Sequence, residues 1–520
     1  VAESTITFLI LGAAVVVFVS GKVPVALAAL GVALSLWATG ILELDEALAG
    51  FGDPTVIFIA STFVVAEALD ATGVTAWVGQ QLLARAGAGR ARLVTLLMVV
   101  CALVTALITP NASVAALIPA AVVIAIRAKE HSSQILMPMA FGAHAGALLA
   151  LTGSPVNVLV ADAAHDAGVG RFGFFEFALA GIPLLIGTVV ITVLIGPKVL
   201  PRRDAKVMPP DFSDLAGELV RDYELGGTAD VYDREKGVAE VVIPPRSGLI
   251  GEEVFPGMVT ESGDLVILGV QRNGSMLEPG DVVLAAGDAL LLRGTWQALD
   301  EHLPDDDVVV IDEPDAVRRQ VVPLGLGAKE SLGVLGGMVL LLATGAVPPA
   351  VAGLLGAGVL VLLKVISLDH AYRAISWTTV ILVAAMIPLS TAMQSTGAAK
   401  DLADGLVDVV GDAGPYALLV GLFVLVAVLG QLISNTATAL IVIPIAVTAA
   451  AELDVSARPV LMAVNVAATA ALLTPVATPA NMMVMEPGGY RFGDYWKLGL
   501  PLLGWYAVVS IGIVPLVWHL

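Results

Sequence analysis

Ser434-Asn435-Thr436-Ala437-Thr438 and Thr474-Pro475-Val476-Ala477-Thr478-Pro479-Ala480-Asn481 both lie within long apolar runs. Proline removes a backbone donor and clashes with the preceding helical turn, while small polar residues re-satisfy the backbone groups this frees. Each stretch therefore predicts a break in a segment that is otherwise helical. The pattern occurs once more, upstream, as Thr109-Pro110-Asn111-Ala112-Ser113 and Thr152-Gly153-Ser154-Pro155-Val156-Asn157. The spacing is constant: Gly73 and Gly397, Asn111 and Asn435, and Asn157 and Asn481 are each 324 positions apart. Chance resemblance between Ala/Val-rich helices gives no fixed offset, so the chain reads as an internal duplication of roughly 190 residues per copy.

Outward from the breaks, composition sets the class. The 520 residues are 58% hydrophobic and 14% charged, against about a quarter charged in soluble domains. That balance excludes an ordinary soluble protein, a disordered chain and a nucleic-acid binder. One cysteine excludes a disulfide framework, and six histidines offer no zinc spacing. No nucleophile–base pair stands out, so no enzyme is expected. The net charge of −20 is concentrated, because residues 201–325 carry 25 acidic and 11 basic residues. This divides the chain into a membrane repeat at 1–200, a soluble insert at 201–328 and a second membrane repeat at 329–520.

In the first copy the apolar runs fall at about 5–20, 23–41, 54–70, 92–127, 133–168 and 174–198, lengths that suit a bilayer. If the fourth run is a re-entrant hairpin, each copy crosses the membrane five times. Five is odd, so the second copy enters inverted. With both termini outside, Arg90, Arg92, Lys129, Arg202, Arg203 and Lys329 fall on inner loops, whereas the outer loops receive Arg171, Lys400 and Arg458. This follows the positive-inside rule and places residues 201–328 in the cytoplasm of a cell with the chain in its inner membrane. The first run lacks a basic leader and a small-residue cleavage site, so no cleavable signal is expected. The Gly168–Gly173 match to a dinucleotide fingerprint follows a membrane helix rather than a strand and carries little.

Paired broken segments in inverted repeats point to a secondary transporter with its site near the midplane. Backbone N–H groups at a hairpin tip suit an anion, and carbonyls of an unwound stretch suit Na⁺ or another hard cation. Two ionisable residues within apolar runs, Glu67 and His144, are candidates for ion or proton coupling, because a charge inside a membrane segment is costly. The alternatives are a neutral His144 bonded between helices and a Glu67 near the interface.

At these residues the sequence resembles the divalent-anion:sodium symporter family of the ion transporter superfamily. Ser434-Asn435-Thr436 reads as that family's Ser-Asn-Thr signature, and both membrane blocks fit its repeat. The resemblance implies a polytopic α-helical membrane protein working by an elevator mechanism, usually as a homodimer. It implies an anion held by Asn111, Ala112 and Ser113 at one tip and Ser434, Asn435 and Thr436 at the other, with Thr474 and Thr478. It also implies two Na⁺ sites, one from Asn111, Thr152, Gly153, Ser154 and Asn157, the other from Asn435, Thr438, Ala477 and Asn481. The first tip departs from the signature: Pro110 and Ala112 replace Ser and Thr, with Ser113 as the available hydroxyl.

In the insert, Val266–Gln271 and Ala289–Arg293 alternate as strands do, and Asn273-Gly274 and Gly287-Asp288 read as turns. The pattern argues a small α+β module with a short helix from Thr295. Residues 228–305 resemble a TrkA C-terminal domain, which implies regulation by a nucleotide or ion ligand. The expected function is Na⁺-coupled symport of sulfate or a di- or tricarboxylate. The alternatives are a proton-coupled or exchange carrier for an inorganic anion, a potassium-flux protein gated by the insert, and a sensor that has lost transport. No Thr-Val-Gly-Tyr-Gly filter supports the potassium channel.

Overall fold

The computed structural model describes residues 3–20, 22–75, 77–78, 81, 89–203, 219–220, 222–223, 233, 235–277, 280–303, 307–312, 314, 317–318, 324–410 and 414–520. The chain divides into two units. One comprises Val1–Glu67, Gln81–Pro209 and Gly333–Leu520, and the other Ala68–Gln80 and Pro210–Leu332.

The first unit is helical. Its first half runs α1 (Glu3–Ser20), α2 (Val25–Ala38), a short α3 (Leu44–Leu48), α4 (Pro54–Ala71), α5 (Arg90–Leu107), α6 (Pro110–Arg127), α7 (Leu136–Gly146), α8 (Pro155–Asp166) and α9 (Ala178–Val199). The fourth and fifth apolar runs are each broken where proline and small polar residues stand, at 108–109 and at 147–154. Six helices among the described residues are long and apolar enough to cross a membrane, and several shorter ones are equally apolar. The short α3, preceded by Glu43 and carrying Asp45 and Glu46, does not follow from the apolar runs, because it is too brief and too charged to register in them.

After the second unit's α10 (Trp296–His302), the helices resume with α11 (Ala328–Thr344), α12 (Pro349–Leu362), α13 (Leu368–Ala374), α14 (Trp377–Ser395), α15 (Ala398–Val410) and α16 (Pro415–Leu429). Then come α17 (Asn435–Glu452), α18 (Ala457–Ala468), α19 (Pro479–Met485), α20 (Tyr495–Ala507) and, after a π-helical turn, α21 (Val514–Val517). Helix starts recur at the sequence offset of 324: Val25 with Pro349, Leu44 with Leu368, and Pro155 with Pro479. Gly73 and Gly397 both have positive φ, at 74° and 78°. Each follows a helix C-terminus, where a left-handed residue lets the chain turn away.

One refinement concerns the last helices. A Cβ on Gly181 of α9 would lie 2.2 Å from Leu148 O, and one on Gly499 of α20 would lie 2.2 Å from Leu472 O. Leu148 and Leu472 keep the offset of 324, whereas Gly181 and Gly499 are 318 apart. The offset read from the breaks therefore stops before the last helix of each copy, which is carried by Gly181-Ile182-Pro183-Leu184-Leu185 and Gly499-Leu500-Pro501-Leu502-Leu503. Only glycine allows a helix to approach the opposing carbonyl so closely.

The two halves interlock. Helix α2 packs on α14 of the other half, and Gly50 sits so near α14 that a Cβ would reach Ala384 O at 1.9 Å. In return, Gly353 of α12 meets Phe58 and Ser61 of α4. The buried core is continuous across both halves, with Phe58, Leu97, Phe141, Met386, Val426 and Tyr506 among its members.

The second unit is α+β. Its sheet has the order β4-β3-β6-β1-β7, from β1 (Lys236–Val242), β3 (Leu265–Arg272), β4 (Ser275–Met276), β6 (Ala289–Thr295) and β7 (Val309–Val310), all antiparallel. A separate ribbon pairs β2 (Glu253–Val254) with β5 (Val282–Val283). Asn273-Gly274 forms the β3–β4 turn with φ of 52° and 75°, the double positive φ that a two-residue type I′ hairpin requires. Thr295 caps α10 by accepting from Ala298 N–H at 3.1 Å. Residues 68–80 group with this unit, although the sequence assigns them to the first repeat. Gly325 N–H donates to Thr72 O at 2.9 Å and Arg318 to Ala71 O at 3.1 Å, so the end of α4 bonds to the C-terminal end of the insert. Of the stretch 228–305, residues 228–232, 234, 278–279 and 304–305 lie outside the described residues.

Candidate functional site at the hairpin tips and helix breaks

Two helical hairpins, α5–α6 and α16–α17, carry the tips, and two broken segments, α7–α8 and α18–α19, carry the breaks. At the first tip, Pro110 occupies the first helical position, where its missing N–H costs nothing. Capping moves back one residue: Thr109 Oγ1 accepts from Ala112 N–H at 3.4 Å. At the second tip Ser434 is the cap, accepting from Ala437 N–H at 3.3 Å.

Asn111 Oδ1 accepts from Ala480 N–H at 3.1 Å, so the first tip docks on the first turn of α19 in the other half. Ser113 does not supply the missing tip hydroxyl. It is fully buried, and its hydroxyl bonds to Thr105 and to Pro110 O within the hairpin. Ala112 adds no polar group. The second tip is different. Among the described residues, Asn435 Oδ1 and Thr438 Oγ1 are buried without a hydrogen-bond partner, and so is Thr474 Oγ1 at the second break. Ser434 is exposed and Thr436 half-buried.

The breaks are held by two asparagines in matching ways. Asn157 Nδ2 donates to Ala147 O at 2.7 Å and Ala150 O at 2.8 Å. Asn481 Nδ2 donates to Ala471 O at 2.8 Å and Thr474 O at 3.1 Å. Both residues are fully buried. Their amides thus satisfy carbonyls that the broken helices orphan. Gly153 acts through its lack of a side chain, since a Cβ there would lie 2.4 Å from Ala147 O. Thr152 Oγ1 donates to Ala106 O at 2.9 Å, tying the first break to its own hairpin. Ser154 caps α8 by accepting from Val156 N–H, and Thr478 caps α19 by accepting from Asn481 N–H. Ala477 closes the short 3₁₀ turn of the second break.

Thr109 of the first tip and Thr152 and Ser154 of the first break line one small pocket with Thr62, Ile59 and Phe63. At the second break, Gln431 does the tying. Its Oε1 accepts from Leu473 N–H and its Nε2 donates to Ala470 O, each at 3.0 Å. Gln431 and Asn465 are polar residues bonded to the breaks that sequence reasoning missed. Both are lone amides in apolar runs, and the burial cost that marks an ionisable residue there is much smaller for an amide.

His144 Nε2 lies 3.0 Å from Asn481 Oδ1 and 3.3 Å from Thr478 Oγ1. Because Asn481 Nδ2 is committed to two carbonyls, its Oδ1 is the acceptor and His144 Nε2 carries the hydrogen. Glu67 pairs with His370 of α13 at 3.1 Å, with both side chains partly exposed. Its carboxylate therefore joins the two halves rather than standing alone in a membrane segment.

A family model described as a citrate transporter (CitMHS) matches residues 15–457 and 412–520. An uncharacterized transporter of Escherichia coli, YfbS, is 28% identical over 98% of this chain and 98% of its own length. The sodium/sulfate cotransporter 2 of Chlamydomonas reinhardtii is 26% identical over 58% of this chain and 35% of its own. The solved YdaH transporter of Alcanivorax borkumensis aligns over 93% of this chain and 87% of that one, with 15% identity and a TM-score of 0.49.

Proposed function

The chain belongs to the citrate transporter family, and on that premise we propose that it carries a small anion, sulfate or a di- or tricarboxylate, by Na⁺-coupled symport. The observation that carries this reading is that, among the described residues, three oxygens contributed by the second tip and the second break are buried without a partner: Asn435 Oδ1, Thr438 Oγ1 and Thr474 Oγ1. A buried polar atom without a partner costs about 1–3 kcal/mol. Three neutral oxygens from one tip and its break are the donor type a hard cation takes. Their neutrality lets the cation enter and leave without stranding a buried charge. The backbone N–H groups at the tips and the half-helix N-termini offer partial positive charge to the anion. Relatives described as sodium/sulfate cotransporters support the choice of ion and anion.

In this reading the two copies stand inverted in the inner membrane with both termini outside, and the chain works as an elevator-type homodimer. The first tip contributes Asn111 to the anion, with Thr152, Gly153 and Ser154 beside a second cation. The TrkA-C-like insert at 201–328 lies in the cytoplasm and regulates the carrier through a nucleotide or ion. A ligand acts there only by binding differently in the inward- and outward-facing states.

The test is uptake of labelled sulfate, succinate and citrate into proteoliposomes under a Na⁺ gradient, a pH gradient or neither. The expected result is accumulation of one of these anions driven by the Na⁺ gradient. Accumulation that follows the pH gradient alone would replace symport with Na⁺ by proton coupling, and K⁺ flux without anion uptake would overturn the transporter reading.

A further inference from the structure

Each asparagine that holds a break is itself held from the opposite half. Asn465 Nδ2 on α18 donates to Asn157 Oδ1 at 2.9 Å. His144 Nε2 on α7 donates to Asn481 Oδ1 at 3.0 Å. Helices α7 and α18 are the matching elements of the two halves, so the two contacts are one arrangement made twice, each crossing to the other copy. The packing agrees, since α18 packs on α8 and α7 packs on α19. All four side chains are buried. Neither donor residue has a polar counterpart at the offset of 324: His144 aligns with Ala468, and Asn465 with Phe141. The donors instead sit one helical turn apart in the repeat frame, on the same face. Two different residues at two different positions thus meet one requirement, an N–H aimed at the Oδ1 of the opposite break asparagine.

We propose that His144 and Asn465 are positioning residues for transport, each fixing from the opposite repeat the asparagine that holds a break in its unwound form. An amide with a free Oδ1 rotates about its last bond. With Oδ1 anchored, Nδ2 stays aimed at both carbonyls, and the unwound stretch that faces the substrate region keeps one shape. The arrangement makes each break depend on the other half of the chain, so loosening one half disturbs the site in the other. The proposal goes beyond the Na⁺-symport reading and depends on it in the kinetic readout alone.

The experiment uses the full-length protein in nanodiscs. Amide hydrogen exchange is followed in peptides covering 147–157 and 471–481 for the wild type, His144→Leu, Asn465→Leu and the donor-retaining His144→Gln. His144→Leu is expected to speed exchange at 471–481 about tenfold and leave 147–157 near wild type. Asn465→Leu is expected to do the reverse, and His144→Gln to stay within about threefold of wild type at both breaks. Loosening of the mutated residue's own half, equal loosening of both breaks, or no change would overturn the proposal. If a Leu variant does not fold, the double swap His144→Asn with Asn465→His decides. Protection retained at both breaks supports the crossed donors, and loss at either refutes them. In proteoliposomes that take up anion as wild type, His144→Leu is expected to lower turnover about tenfold with half-saturation for the anion within about threefold, and His144→Gln to restore it. Absence of wild-type uptake would count against the symport reading, while the exchange pattern would still decide the positioning role.

Discussion

Asn111 and Asn435 occupy matching positions at the two hairpin tips, and their surroundings are opposite. Asn111 Oδ1 takes the Ala480 N–H across the interface. Asn435 Oδ1 is buried with no donor among the described residues, as are Thr438 Oγ1 at the same tip and Thr474 Oγ1 at the second break. The substitutions between the copies explain the contrast. Where the second half has Ser434, Thr436, Thr438 and Thr474, the first has Pro110, Ala112, Val114 and Ala150. The first tip lacks the hydroxyls that the second has at these positions, and Asn111 docks it on α19. The second tip and break keep oxygens that have no partner among the described residues.

The largest effect should come from Asn435→Ala, which removes an amide from the intact signature. Anion uptake is expected to fall more than about a hundredfold in a correctly inserted protein, whereas Asn111→Ala, which loses one hydrogen bond, is expected to cost about tenfold. Similar losses at the two tips would dissolve the contrast between them. Next, Thr474→Val keeps the side chain's shape and removes an unpartnered oxygen. The Na⁺ concentration giving half-maximal uptake is expected to rise about tenfold, with little change when Val114→Thr adds a hydroxyl to the first half. Ala112→Thr restores the missing tip hydroxyl and is expected to shift the preference between sulfate and dicarboxylates by a few-fold, read from competition profiles. An unchanged profile would remove position 112 from specificity.

The smallest effect on transport is expected from the insert's pair of partly exposed Arg272 and buried Asp288. Arg272 bonds Asp288 at 2.7 Å, and this hydrogen bond holds the Asp288 carboxyl below the usual carboxylate range. A depressed folded-state pKa adds stability above the unfolded value of about 3.9, and the gain is lost as pH falls through the folded value. Unfolding of the insert should therefore be insensitive to this pair between about pH 5 and 8 and become easier below that. Asp288→Asn should flatten the acid limb, measured by hydrogen exchange within β3 and β6. A change in Na⁺ dependence in that variant would show that the insert reaches the tips.

Much of this was legible because breaks announce themselves. Thr109-Pro110 and Ser154-Pro155 sit in apolar runs where nothing else explains proline with small polar residues, and new helices start at Pro110 and Pro155. The Asn273-Gly274 turn was equally local. What the chain order hid were the contacts that cross between halves. That Asn157 answers to Asn465, Asn481 to His144 and Glu67 to His370 follows from how the helices interlock, and no local pattern encodes the pairing. The cap shift from Ser434 to Thr109 was hidden too, because proline's effect on the helix start appears only once the turn is built. Ser113 looked like a spare hydroxyl by spacing, but its direction around the helix turns it into the hairpin.

The most direct measurement is equilibrium binding of labelled Na⁺ to the purified protein, comparing wild type, Thr438→Val and Asn111→Ala. Saturable binding is expected in the wild type, weakened about tenfold by Thr438→Val and left within about twofold by Asn111→Ala. Binding that survives Thr438→Val unchanged, or that Asn111→Ala weakens equally, would contradict a coupling cation held at the second break.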